Sequence, residues 1–158
     1  MQHKGNYRAR SKTVKIILGA VALLCGSMIY LVFRSKSLYI YVWCKSVGGA
    51  PVVDLLRTAV QDWQVPDFVV FSLPDGLYCA AWLLLIDAIW QGDGRRIKFL
   101  FLSLVPVVTM GSEILQSWGW VRGTFDVVDF WCYAVPPLAY IGLYFYKHYY
   151  TNFKLENL

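Results

Sequence analysis

An all-α, polytopic membrane protein, built as a small bundle of four transmembrane helices, is the fold class this sequence predicts. Three observations predict it. Of 158 residues, 58% are hydrophobic and only 16% charged, where an average soluble domain has roughly a quarter charged. The apolar residues are gathered into long runs. The basic residues collect near the chain ends and in one short connection, as in multi-pass proteins. One small bundle uses up the length, and no separate soluble domain, repeat or low-complexity segment is seen.

The basic head, residues 1–13, carries Lys4, Arg8, Arg10 and Lys12. A transmembrane domain, 14–147, opens with VKIILGAVALLCGSMIYLVF (14–33), which has no charge between Lys15 and Arg34. A helix rises about 1.5 Å per residue and the hydrocarbon core is about 30 Å thick, so about twenty residues cross it. The run exceeds a usual signal-peptide core, and no small-x-small site follows in FRSKSLY, so it reads as a retained helix. Gly19 and Gly26 allow close packing. In the outer loop, 34–67, the Tyr and Trp of SLYIYVWCKSVGG (37–49) read as interfacial. A short amphipathic helix at about 52–63 follows. The second span covers about 68–90, with Pro74 and Gly76 flanking Asp75 and inviting a kink or local unwinding. The third covers about 97–118 and contains Pro106. The fourth covers about 127–146 and contains Pro136 and Pro137. Residues 148–158 form the tail.

Four spans put the head, the connection with Arg95, Arg96 and Lys98, and the tail region with Lys147 and Lys154 on one side. Positive charge favours the cytoplasm, so both termini are placed there. This rule and anionic lipid account for the net charge of +5, and nucleic acid is not a partner the chain calls for. Cys25, Cys79 and Cys132 lie in spans and Cys44 in the outer loop. No CxxC or Cys/His spacing suggests zinc.

The polar residues concentrate in SEILQSWGWVRGTFDVVDF (112–130). Glu113 and Gln116, three apart, share a face near the outer end of the third span, with Thr109 below and Trp120 above. Asp126 and Asp129, again three apart, open the fourth span, and Tyr133 continues their face. Arg122 lies in the turn. Asp75 sits about 12 Å along the second span from Asp67, at the same outer level. Two readings follow. In one the cluster is structural, with Arg122 paired to Asp126 or Asp129. In the other it is a site, because its negative charge exceeds one guanidinium. Such a site would hold a headgroup, use Glu113 as an acid or base, or take a hard divalent cation among Asp75, Glu113 and Asp129. No GxSxG, HExxH or Gly-rich phosphate loop occurs, and His3 and His148 lie far from the cluster. Binding is therefore favoured over catalysis, and no cofactor or resident metal is expected.

The pattern Glu113-x-x-Gln116, Arg122-Gly123, Asp126-x-x-Asp129 ahead of an apolar helix resembles the signature of VanZ-like membrane proteins. These are small bacterial multi-helix proteins named for a teicoplanin-resistance accessory protein. The resemblance covers about residues 68–145, with SLPDGLY in the place of the family's upstream element. Tyr78 stands where histidine is common and Cys132 where asparagine is usual, so this chain has no histidine to titrate there. The resemblance implies the bacterial cytoplasmic membrane, a cell-envelope role linked to glycopeptide resistance, and an acidic cluster facing outward. The expected ligand is a lipid-linked or cell-wall headgroup amid membrane lipids. The alternative is a non-catalytic small subunit or assembly factor of a larger membrane protein complex, docked through aromatic surface and the 34–67 region.

One prediction concerns topology. A cysteine placed at Arg95 in a cysteine-free background should resist an impermeant label applied from outside the cell. Labelling from outside overturns the four-span assignment.

Overall fold

The computed structural model describes residues 2–91 and 96–156. Arg95, on which the topology argument leans, lies outside the described residues, as do the side chains of Lys4, Arg8, Lys147, His148 and Lys154. Among the described residues the fold is all-helical: α1 (Gln2–Phe33), α2 (Tyr39–Ser46), α3 (Ala50–Ala59), α4 (Asp67–Phe71), α5 (Leu73–Ile89), α6 (Ile97–Ser117) and α7 (Val127–Glu156). Three stretches are long and apolar enough to cross a membrane: Ala9–Phe33 in α1, Ile97–Ser117 in α6 and Val127–Tyr146 in α7.

The second expected span is not one helix. The chain breaks at Ser72, which ends α4 and precedes α5. The cause is local. Pro74, in the first turn of α5, has no amide hydrogen, so the helical bond back to the Val70 carbonyl cannot form. What remains, α5, has 17 residues, about 25 Å of helix.

This short helix is nevertheless the centre of the molecule. It packs against α1, α4, α6 and α7, and its Cys79, Ala81 and Ala88 are wholly buried. Helices α1 and α5 run antiparallel, since Lys15 meets Asp87 while Tyr30 meets Asp75. Helices α5 and α7 run parallel, with Asp75 beside Tyr133 and Asp87 beside Tyr140. Small residues permit the approach. A Cβ on Gly26 would sit 3.3 Å from the Pro74 carbonyl oxygen, and one on Gly19 would sit 2.9 Å from Leu85. On the other side of α5, a Cβ on Gly76 would come within 2.9 Å of the Cys132 carbonyl oxygen. The outer surfaces of the long helices are apolar. Leu24, Val107 and Leu143 are each about two-thirds exposed, an arrangement water penalises and lipid accepts.

The segment between α1 and α4 folds into a cap. Arg57 of α3 donates to the Leu31 and Arg34 carbonyls, at 2.8 and 2.6 Å, meeting orphan acceptors at the negative end of α1. Its guanidinium also lies 5.3 Å from the Tyr41 ring centroid. Lys36 pairs with Asp54 at 2.6 Å. Hydrogen bonding to Lys36 holds the Asp54 carboxyl below its ordinary value, and the same bond raises Lys36 above its own. The pair is therefore intact at neutral pH and is lost as acid titrates Asp54 or strong base titrates Lys36.

The contact between α5 and α7 gives a test. Gly76→Ala must push the α7 backbone away and should destabilise the fold by about 1–3 kcal/mol, the usual cost of overpacking. Gly111→Ala meets nothing within 4 Å and should be neutral or slightly stabilising. Thermal unfolding of both variants in detergent checks the contrast.

Candidate functional site: a carboxylate end

Four carboxylates converge at the end of the bundle formed by the C-termini of α1 and α6 and the N-termini of α5 and α7. Asp75 is placed by the first turn of α5. Tyr30 of α1 donates to its Oδ1 at 2.7 Å, and Tyr133 of α7 to its Oδ2 at 3.0 Å. The carboxylate is thereby bracketed by hydroxyl donors from two helices. Above Tyr30 lies Arg34, its guanidinium 4.8 Å from the centroids of both Tyr30 and Phe71.

Glu113 is buried on α6, at 6% exposure. Its Oε2 accepts the Asp126 amide at 3.3 Å, tying α6 to the start of α7. Asp126 itself is exposed, and its Oδ1 accepts the Val128 amide at 2.7 Å. That is an N-cap bond satisfying one of the orphan donors of α7. Asp129 is half-buried, in the first turn of α7, where the helix dipole favours a negative charge. Its Oδ1 is buried without a hydrogen-bond partner. Asp129, Asp126 and Asp75 all lie near enough to Glu113 for their charges to act on it.

Gln116 has a different role. Its amide lies against Gly123, where a Cβ would come within 2.7 Å of it, and Gly123 also has φ of +143°. The Arg122-Gly123 pair is thus shaped by backbone need: glycine alone fits there. Thr109 turns back to its own helix, donating to the Val105 and Pro106 carbonyls. Trp120 is exposed and packs edge-on against Trp118.

One expectation needs correction. Arg122 was expected to pair with Asp126 or Asp129, but it is exposed and makes no ion pair with either. The reason is competition: the Val128 amide takes the Asp126 carboxylate, and the Asp129 Oδ1 is buried. Arg34, just after α1, instead lies over the ring of Tyr30, whose hydroxyl donates to Asp75. The divalent-cation alternative gains no support. Asp75, Glu113 and Asp129 gather at one end, yet no group of three His, Cys, Asp or Glu among the described residues could hold a metal ion. The carboxylates form two hydrogen-bonded pieces, one around Asp75 and one around Glu113, near enough for the Asp75 charge to act on Glu113.

Sequence reasoning passed over a second buried acid, Asp87, at the other end of α5. Lys15 approaches its Oδ2 at 2.6 Å and Lys98 its Oδ1 at 2.5 Å, while Tyr140 donates to Oδ1 at 2.8 Å. The available signal was LLLIDAIW, an aspartate inside an apolar run, which requires a partner.

No family model, curated protein or solved structure matches the chain.

The tyrosines around Asp75 can be ranked. Tyr30→Phe and Tyr133→Phe each remove a donor to a carboxylate and should cost about 1.5–3 kcal/mol. Tyr78→Phe removes only a 3.3 Å bond to Ser27, a neutral pair worth about 0.5–1.5 kcal/mol. Thermal unfolding of the three variants in one detergent should give that order.

Proposed function

We propose that the chain is a four-span bacterial inner-membrane protein of VanZ-like type, with both termini cytoplasmic. On this reading its carboxylate end is an outward-facing pocket for a headgroup rich in hydroxyl or amine donors, lipid-linked or derived from the cell wall. Helix α5 with α4 supplies the fourth span, since together they run from residue 67 to 89 with one kink at Ser72. The basic head and the Arg96–Lys98 region supply the orientation. The family comes from the Glu113-x-x-Gln116, Arg122-Gly123, Asp126-x-x-Asp129 pattern.

The observation that carries the pocket is the unmet acceptor of Asp129 beside the buried Glu113. A buried carboxylate oxygen without a donor is costly unless a ligand supplies one. The other end of the molecule shows the contrast, because Asp87 there has two ammonium partners and a hydroxyl. Hydroxyls and amines of a sugar or peptide headgroup are the donors Glu113 and Asp129 lack. Exposed Arg122 at the rim suits a phosphate or carboxylate on the same ligand.

A partner-docking role has one observation in its favour. Tyr39, Trp43 and Trp63 are between two-thirds and five-sixths exposed on the outer cap, a surface that suits either the membrane interface or a larger complex.

The two readings separate on purification. Mass spectrometry of the protein extracted alone should find a sugar- or peptide-bearing lipid bound to wild type and absent from Glu113→Gln/Asp129→Asn. A stoichiometric protein partner, or equal retention by both forms, rejects the pocket. Arg122→Ala should leave stability within about 0.5 kcal/mol, as for a surface change, while weakening retention. Arg122→Lys should not restore it, because lysine lacks the planar fork.

A further inference from the structure

The Asp87 cluster has a charge balance that its structural role does not exhaust. Two ammonium groups meet one carboxylate, and Tyr140 adds no charge, so the group carries one net positive charge. Among the described residues Asp87 is the one carboxylate paired with either lysine. Each ammonium has three donors, and one from each is directed at Asp87. The lysine side chains retain 25% and 14% exposure, so both reach the surface. They reach Asp87 from α1 and from α6, two helices that each pack on α5 but scarcely on one another. The level is the edge of the bundle, since Asp87 is two residues from the end of α5 and Lys98 is the second residue of α6. Arg10 and Lys12 are described residues of the same end, and Trp90 stacks on Phe101 there at 5.8 Å. Basic groups between helices at an interface bind anionic headgroups, and aromatic rings mark the headgroup level.

We propose that Lys15 and Lys98, bridged by Asp87, form a binding site for the phosphate of an anionic phospholipid at the cytoplasmic face. Asp87 neutralises one of the two ammonium charges and leaves the excess for the lipid. A zwitterionic lipid brings its own cation and gains less. The inference rests on the four-span placement but on no residue of the carboxylate end. Failure of headgroup retention in the Glu113/Asp129 variant therefore leaves it standing.

The test uses the full chain in mixed micelles holding equal amounts of phosphatidylglycerol and phosphatidylcholine, with bound lipid read by native mass spectrometry. Wild type should prefer phosphatidylglycerol. Asp87→Asn keeps both lysines and raises the net positive charge, so the preference should rise roughly fivefold, the effect of one charge near an anionic surface. Asp87→Asn/Lys15→Gln/Lys98→Gln is uncharged at the site and should lose most of the preference, keeping only what the neighbouring Arg10 and Lys12 supply. A triple variant that keeps the wild-type preference overturns the site, as does an Asp87→Asn preference no greater than wild type. Should the triple variant fail to fold, the Asp87→Asn comparison alone decides. Inorganic phosphate is the second arm: if it displaces phosphatidylglycerol and stabilises lipid-free protein as strongly, the site takes free phosphate and the lipid assignment is wrong.

Discussion

Helix α5 carries two carboxylates into an apolar bundle, and both must find partners there. A charged side chain in a membrane interior costs several kcal/mol unless it is neutralised or hydrogen-bonded. Asp75 and Asp87 are twelve residues apart, about 18 Å along the helix. Asp75 is met by Tyr30 and Tyr133, and Asp87 by Lys15, Lys98 and Tyr140. Every other long helix contributes to at least one of these groups. A slip of α1 by one turn against α5 would break both contacts at once, so the two acids set the register of the bundle. The glycines then set its tightness, since Gly19, Gly26 and Gly76 sit where a side chain would strike a neighbouring helix.

The two ends differ in how their electrostatics close. At Asp87 each carboxylate oxygen has a cation, and one positive charge is left over. At the opposite end the negative groups outnumber the positive ones. Asp75 has hydroxyls, Glu113 has one backbone amide, and Asp126 caps its own helix. Asp129 is left with a buried, unpartnered oxygen. Structural cost is tolerated at binding sites because a ligand offsets it when bound. That asymmetry is the physical basis for placing recognition at the Glu113–Asp129 end, and it follows from the positions of particular groups.

Much of this was legible in the sequence. The kink before α5 follows from Pro74, and the paired spacing of Glu113 with Gln116 and of Asp126 with Asp129 located one end of the bundle. The interfacial aromatics of 37–49 became α2, and the amphipathic stretch after it became α3, although its start lies two residues earlier than periodicity suggests. What escaped was contact over long separations. Lys15 and Lys98 look like topology signals, and nothing local says they meet Asp87. Arg57 caps α1 from 26 residues away, and Arg34 reaches the Tyr30 ring in place of the solvent its loop position suggests. Arg122 failed for the opposite reason. Its nearest carboxylate in sequence has a better local partner, the Val128 amide, and local hydrogen bonds outcompete a flexible guanidinium at a helix start.

The central claim is that α5, short and carrying acids at both ends, crosses the membrane because its neighbours satisfy those acids. The sidedness of the two termini tests this most directly. With α5 as a span the chain crosses four times, and reporters fused to the N- and C-termini should lie on the same, cytoplasmic side. If α5 lies on the surface, only α1, α6 and α7 cross, and the two reporters would be found on opposite sides.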